Sequence, residues 1–351
     1  MSTPGPTGIS GNVDSPMISA PPYGDAESPY RDCPITQVEG EPLSLNLLDL
    51  ELLHNYSTST AYTLSRDPML KDLWRINVPQ VGFSYGFVMR GILALSALHL
   101  ANFKPNKAFY TSQAMLQHQS GLRTAISLLT QVTEKNCSAI FLFSSITCIF
   151  ALASPRQPSD FLILGTGGIA EWLYLLRGTR SIVNSWHETL NSGILGPMFS
   201  NGMRMAALRE SASGKDEHLE MLRHLIRATI TDSNTLDIYL AAVDRLEKPF
   251  VMISDTGPLS HHFNELFAWL FGISDEYLLL LREHTQESVV IFAHACVLLN
   301  QMDHHWWVEG LSTHLISNIY YLLDEEHRLW IRWPMEEIGW IPPHSRMGIS
   351  R

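Results

Sequence analysis

An all-α fold behind a disordered N-terminal tail is what this 351-residue chain predicts, on three observations. From about Leu43 onward apolar residues recur at helical spacing, alternating strand-like runs are few, and Pro or Gly punctuates the periodic stretches where helices should stop. Before that point Pro4, Pro6, Pro16, Pro21, Pro22 and Pro29 alternate with Gly and Ser and leave little to bury, so residues 1–42 read as the tail and residues 43–351 as one large multi-helix domain. A hydrophobic share of 45%, with 9 Trp and 14 Phe, supplies its core.

Taken in order, the first expected helix carries Leu45, Leu48, Leu52 and Tyr56 as one apolar stripe, with Asp49 and Glu51 off it. Phe87 to Phe103 is apolar nearly all round, and Gly91, Ala94, Ala97 and Ala101 are small enough for neighbouring helices to approach closely, so it reads as a central helix. Phe109 to Leu129 follows, marked by Ala114, Leu122, Ile126 and Leu129, then Asn136 to Ala153, broken by Pro155 and Pro158. Phe161 to Val183 is expected to be helical, Asn191 to Gly202 a surface loop, and Ser211 to Gly214 a joint. Asp216 to Leu246 should form one or two helices ended by Lys248-Pro249, and further helices are expected near residues 261–271, 275–284, 288–300 and 308–323.

Charge and cysteine usage exclude several functions. The net charge is −11 and no run of Lys or Arg occurs, which argues against direct nucleic-acid binding, because phosphate affinity comes from clustered cations that release counterions. Cys33, Cys137, Cys148 and Cys296 have no metal-clip spacing; Cys137 and Cys148 would lie ~16 Å apart along one helix. They read as buried thiols of a reducing compartment. No secretory signal is recognisable, and the uncharged stretch Asn136 to Pro155 is diluted by Ser138, Ser144, Ser145, Thr147 and Ser154, so a core helix is expected there and no membrane span.

Four motifs invite chemistry. Gly82-Phe83-Ser84-Tyr85-Gly86 spells G-x-S-x-G, the nucleophile elbow of serine hydrolases, but Pro79 stands where a central strand should donate a hydrogen bond and the βαβ rhythm of a hydrolase sheet is missing. Gly165-Thr166-Gly167-Gly168-Ile169-Ala170 fits a dinucleotide fingerprint without a second strand, and reads as a loop entering a helix. His261, His262 and Glu265, and likewise Asp303, His304 and His305, are too few or too splayed to surround a metal. The aromatic group Trp306, Trp307, Trp330, Trp333 and Trp340 either seals a core or lines an apolar pocket.

Several segments resemble the regulatory domain of fungal binuclear zinc-cluster transcription factors, in the branch that includes sterol uptake control proteins. The resemblance is carried by Leu50–Ser65 with Val78–Ala101, by Asn136–Phe141, by Leu175–Gly178 with Ser192–Phe199, and by Trp306–Gly310 through Trp330–Pro334, spread over about residues 45–341. It implies an all-α regulatory domain, a nuclear location with the cytoplasm as the alternative, and a role in activation or repression. The six-thiolate cluster and its basic flank do not occur in this sequence, so DNA contact is expected to come from a partner or an additional segment.

The leading expectation is therefore a transcriptional regulator acting through a helical effector-binding and dimerising domain, without a cofactor, paired with itself or with a DNA-binding protein. For an apolar effector such as a sterol, the expected lining is Trp306, Trp307, Gly310, Leu311 and His314: an aromatic body, a small gap and one polar tip. The alternative is a serine hydrolase using Ser84.

Overall fold

The computed structural model describes Met1 and residues 46–156, 164–165, 168–256 and 263–343; the expected tail over 1–42, Leu45, Cys33, His261 and His262 lie outside the described residues. Helix α1 (Leu47–Asn55) starts where Asn46 accepts the Asp49 N–H at 2.9 Å and the Asp49 carboxylate reaches back to the Asn46 N–H at 3.4 Å. This reciprocal cap satisfies two otherwise orphaned donors. Leu52 and Tyr56 of the expected stripe are buried, but so is Asp49, expected off it. Its carboxylate accepts from Gln117 Nε2 at 2.7 Å and lies 4.0 Å from the Arg90 guanidinium, so polar partners carry it into the interior.

The chain continues through a π-helical turn (Tyr56–Thr60), α2 (Ala61–Thr63), α3 (Pro68–Asp72) and a second π-helical turn (Leu73–Asn77) into α4 (Val78–Ser84). Only Tyr85, extended at φ −131° and ψ 99°, separates α4 from α5 (Gly86–Phe103). The G-x-S-x-G thus turns a helix–helix corner, and the hydrolase reading of Ser84 is corrected: an elbow needs a strand on its N-terminal side. Pro79 sits in the first turn of α4, where its missing N–H is not needed. Gly82 is there for packing, since a Cβ would stand 2.9 Å from Ile92 Cδ1.

Helix α5 is buried along most of its length, as its composition predicts. It is long and apolar enough to cross a membrane by composition, but here it is a core helix between α6 (Lys107–Leu128) and α7 (Cys137–Ala153). A Cβ at Gly91 would meet Ile146 Cγ2 at 2.9 Å, which is how closely α7 approaches. The face of α6 that packs inward is Tyr110, Ala114, Gln117, Gly121 and Ala125, whereas the expected markers Ile126 and Leu129 are 50% and 38% exposed. Small residues win the contact because they let two helix backbones close up; Gly121 leaves room for the Phe87 carbonyl and the Phe143 ring. In α7, the serines that dilute its apolar surface bond back one turn, Ser144 to the Ile140 carbonyl at 3.0 Å and Ser145 to Phe141 at 3.1 Å.

Within the glycine pattern after α7, β1 (Leu164–Gly165) pairs antiparallel with β2 (Gly168–Ile169). That is no strand-to-helix phosphate loop. Helix α8 (Glu171–Ser192) starts later than expected and is followed almost at once by α9 (Gly196–Ser211), where a loop was expected. Pro197 lies in the first turn of α9, where it fits, and the glycines are absorbed by the helix.

Asp216 caps α10 (Glu217–Thr229), accepting from the His218 and Leu219 N–H groups at 3.0 Å each. Helix α11 (Ser233–Thr256) runs through Pro249 rather than stopping there. The lost backbone bond is offset by the burial of Phe250, Val251 and Met252 just beyond it. Helices α12 (Phe263–Gly272), α13 (Asp275–Arg282), α14 (Gln286–Asn300), α15 (Leu311–Leu322), α16 (Glu325–Trp330) and α17 (Arg332–Ile338) complete the chain. Every residue of α14 from Glu287 to Leu299 is buried, with α11, α12, α13, α15, α16 and α17 packed against it. All of this belongs to one compact unit, Val38–Arg351.

Candidate functional site

The turn between α14 and α15 places the expected C-terminal residues. Asp303 accepts the Gly310 N–H at 2.6 Å, and Gly310, at φ +67°, begins α15 from the left-handed region that suits glycine. Trp307 and Leu311, 1% and 3% exposed, are packed into the core. His314 is half-buried on α15 beside Asn318, its Nε2 3.2 Å from the amide nitrogen. Trp306 alone of the five lines a described cavity. The remaining tryptophans disperse: Trp333 stacks on His218 at 4.2 Å, Trp340 sits 5.2 Å from Tyr320, and Trp330 lies 4.5 Å from His327.

The cavity at Trp306 holds ≈ 240 Å³ and is walled by the end of α5 (Leu98, Ala101, Asn102), the start of α6 (Lys107, Thr111), the exit of α7 (Ala153 to Arg156), and Trp306 with Glu309. Trp306 is held rigidly: its Nε1–H donates to Thr63 Oγ1 at 2.8 Å, and its ring lies 4.9 Å from His99. His99 is itself tied to Thr60 Oγ1 at 3.0 Å, and burial lowers its pKa to about 4, so it is neutral at physiological pH.

A second cavity, of ≈ 300 Å³, lies between α6, α7 and α8 and is mostly aliphatic: Leu122, Ile126, Leu129, Leu175 and Ile182, with Tyr174 at its edge. Its two aliphatic hydroxyls are already engaged with the backbone, Ser144 with Ile140 and Thr179 with Leu176 at 2.6 Å. Gly178 also lines it, and a Cβ there would meet nothing within 4 Å, so the space above α8 is open. The half-exposed Ile126 and Leu129 are explained here: they face a cavity. The helical period of α6 places them on one side, but no sequence pattern announces the gap beyond.

The remaining expected clusters do other work. Glu265 is fully buried and forms a two-bond pair with Arg209, at 2.7 and 3.0 Å, which accounts for both its oxygens. Among the described residues no group of three His, Cys, Asp or Glu side chains is placed to hold a metal. Cys137, Cys148 and Cys296 are buried thiols, as their surroundings predict, and burial pushes Cys148 up to about 12. Lys107 and Arg156, the two cations of the ≈ 240 Å³ cavity, were not singled out by sequence reasoning. The only hint was position, one at the start and one just past the end of a long helix.

No family model matches the chain. Curated relatives do: a Zn(2)-C6 fungal-type transcription factor of Gibberella zeae is 23% identical over 306 residues, covering 82% of this chain and 61% of its own. Sterol uptake control protein 2 of Candida albicans is 27% identical over 339 residues, covering 90% and 45%. The protein of that name in Saccharomyces cerevisiae is 26% identical over 145 residues, covering 40% and 16%. The chain is thus similar over most of its length to a zinc-cluster transcription factor and a sterol uptake control protein, and it spans between 16% and 61% of the length of these relatives.

Proposed function

We propose that this chain is a transcriptional regulator, acting in the nucleus through an all-α domain that binds an effector and pairs with itself or with a DNA-binding protein. The observation that carries this reading is the similarity to named regulators over 82% and 90% of the chain. The net charge of −11 favours a partner for DNA contact. An apolar, sterol-like effector is supported by the aliphatic cavity between α6, α7 and α8, whose volume sits at the lower end of the ~300–1,000 Å³ range of ligand pockets. The set Trp306, Trp307, Gly310, Leu311 and His314 is the other candidate seat, and occupying it requires the packing at Trp307 and Leu311 to open.

Fusing the full chain to a heterologous DNA-binding domain tests the regulator: reporter output should move from the level set by the DNA-binding domain alone, and an unchanged level refutes it. For the effector, a sterol panel should raise the thermal midpoint of the full chain. Gly178→Leu, which fills the cavity from α8, should abolish that rise. A rise that persists in Gly178→Leu and disappears in Trp306→Ala would move the seat to the C-terminal set, and no rise in the unsubstituted chain refutes an apolar effector.

A further inference from the structure

We propose that the ≈ 240 Å³ cavity between α5, α6, α7 and Trp306 is a binding site for a small organic carboxylate with a flat apolar body, held chiefly by Arg156. This site is separate from the aliphatic cavity, and its test reads ligand binding without reference to transcription.

Arg156 is the central observation. Its Nε–H is buried with no hydrogen-bond partner, and among the described residues its guanidinium makes no ion pair within 4 Å. Asp303 and Glu309 attract it only from farther away, and Asp303 Oδ1 is already committed to the Gly310 N–H at 2.6 Å. Burial pulls the Arg156 pKa below its usual value despite those two carboxylates, which reports how poorly the charge is compensated. An unmatched, partly buried cation is a costly arrangement, and here it stands beside an open space of its own.

The rest of the wall suits the same ligand. Lys107 adds a second cation without an ion pair among the described residues, at the first residue of α6. No side chain caps that helix end and no acidic residue lies in its first turn, so its N–H groups and dipole add to the positive field. Thr111, one turn along the same face, offers a hydroxyl. Trp306, fixed by Thr63 and His99, presents a rigid aromatic surface to a flat body.

Three features choose the carboxylate. A planar guanidinium fork matches a planar carboxylate. Glu309 on the wall opposes a multiply charged group such as phosphate but accepts a hydrogen bond from a ligand hydroxyl. The volume is below the ~300 Å³ at which drug-sized pockets begin, which suits a small acid.

Calorimetric titration of the full chain with benzoate, 4-hydroxybenzoate, phenylpyruvate, citrate and inorganic phosphate tests this. The flat acids should bind saturably at one site and more tightly than citrate. Arg156→Gln should weaken them about tenfold or more, as loss of a charge-assisted pair predicts, and Lys107→Gln by less. Trp306→Ala should selectively weaken the flat acids. Because Arg156 lacks a partner in the empty site, Arg156→Gln should keep the far-ultraviolet circular dichroism and thermal midpoint of the parent. If it unfolds instead, the exposed Lys107→Gln and Trp306→Ala carry the test. Binding of none of the acids, binding of phosphate alone, or flat-acid affinity unchanged in a folded Arg156→Gln would each overturn the proposal; if Arg156→Gln unfolds, unchanged affinity in both Lys107→Gln and Trp306→Ala would do so.

Discussion

Helices α5 and α14 are both central and both nearly devoid of charge, yet they are used differently. Helix α14 is enclosed on all sides from Glu287 to Leu299, and its one buried carboxylate, Glu287, is met by His327 at 3.5 Å. Helix α5 is packed through small residues such as Gly91, carries the polar chain Arg90–Gln117–Asp49 on one side, and borders a cavity at its C-terminal end. The aliphatic cavity opens in the same layer, between α6, α7 and α8. A helix packed by large side chains on every side leaves no gap, whereas one packed by small residues brings backbones close at its middle and lets them diverge at its ends. The α14 region is closed packing, and the layer around α5 is where the described cavities lie.

The most severe way to challenge this contrast is to empty each core. Phe143→Ala, under α5, should cost about 3–5 kcal/mol and Leu298→Ala, in α14, about 2–5 kcal/mol, read by urea unfolding. If both loss values belong to one cooperative transition, the two regions are a single folding unit; separate transitions would divide them.

A smaller effect separates the regions by pH. His118 of α6 lies flat on Phe150 at 3.9 Å, His294 of α14 is bonded to the Val290 carbonyl at 2.9 Å, and burial lowers both to about 4. Below the unfolded value of ~6.5 the unfolded chain takes up protons that the native chain refuses until about 4, so their contribution is complete above ~6.5 and falls as the pH drops towards 4. His118→Phe keeps the stacking and should reduce that slope by about one proton, ~1.4 kcal/mol per pH unit at most, in unfolding measured from pH 7 to pH 4. An unchanged slope would assign the acid sensitivity to the other buried imidazoles, His99, His294 and His305.

Two glycines sharpen the comparison at low cost. Gly310→Ala should destabilise by about 1–2 kcal/mol through its positive φ alone, since its new Cβ would stand 3.7 Å from Arg156 Nη1, in ordinary contact. Gly178→Ala, in mid-helix with open space above it, should stabilise by about 0.5–1 kcal/mol. A loss at position 178 would mean that the α8 backbone is under a constraint that the open cavity does not suggest.

Most of the helices were legible in the sequence because amphipathic and apolar periods over ten or more residues have few other solutions. The ends were less so. Pro249 and the Pro197 region read as stops, yet the chain is helical through both, because tertiary burial outweighed one missing bond in α11 and a first-turn position accommodates proline in α9. The short α16 and α17 passed unnoticed, being too brief to show a period. Of the expected ligand set only Trp306 reached a cavity wall, and the residues beside it on α5, α6 and the exit of α7 lie about 150 to 210 positions earlier in the chain, a juxtaposition without any local signature.

By itself the sequence determined the helical class, the central place of α5 and the buried thiols, since each follows from the chemistry of neighbouring residues along the chain, and it carried the resemblance to zinc-cluster regulators. Only the tertiary structure decided that Ser84 turns a corner between helices, that Asp49 belongs inside, and that an aliphatic cavity and a cationic cavity lie where α5 to α8 diverge. Cavities are made by what packing leaves unfilled, and an unfilled volume is a property of several helices at once.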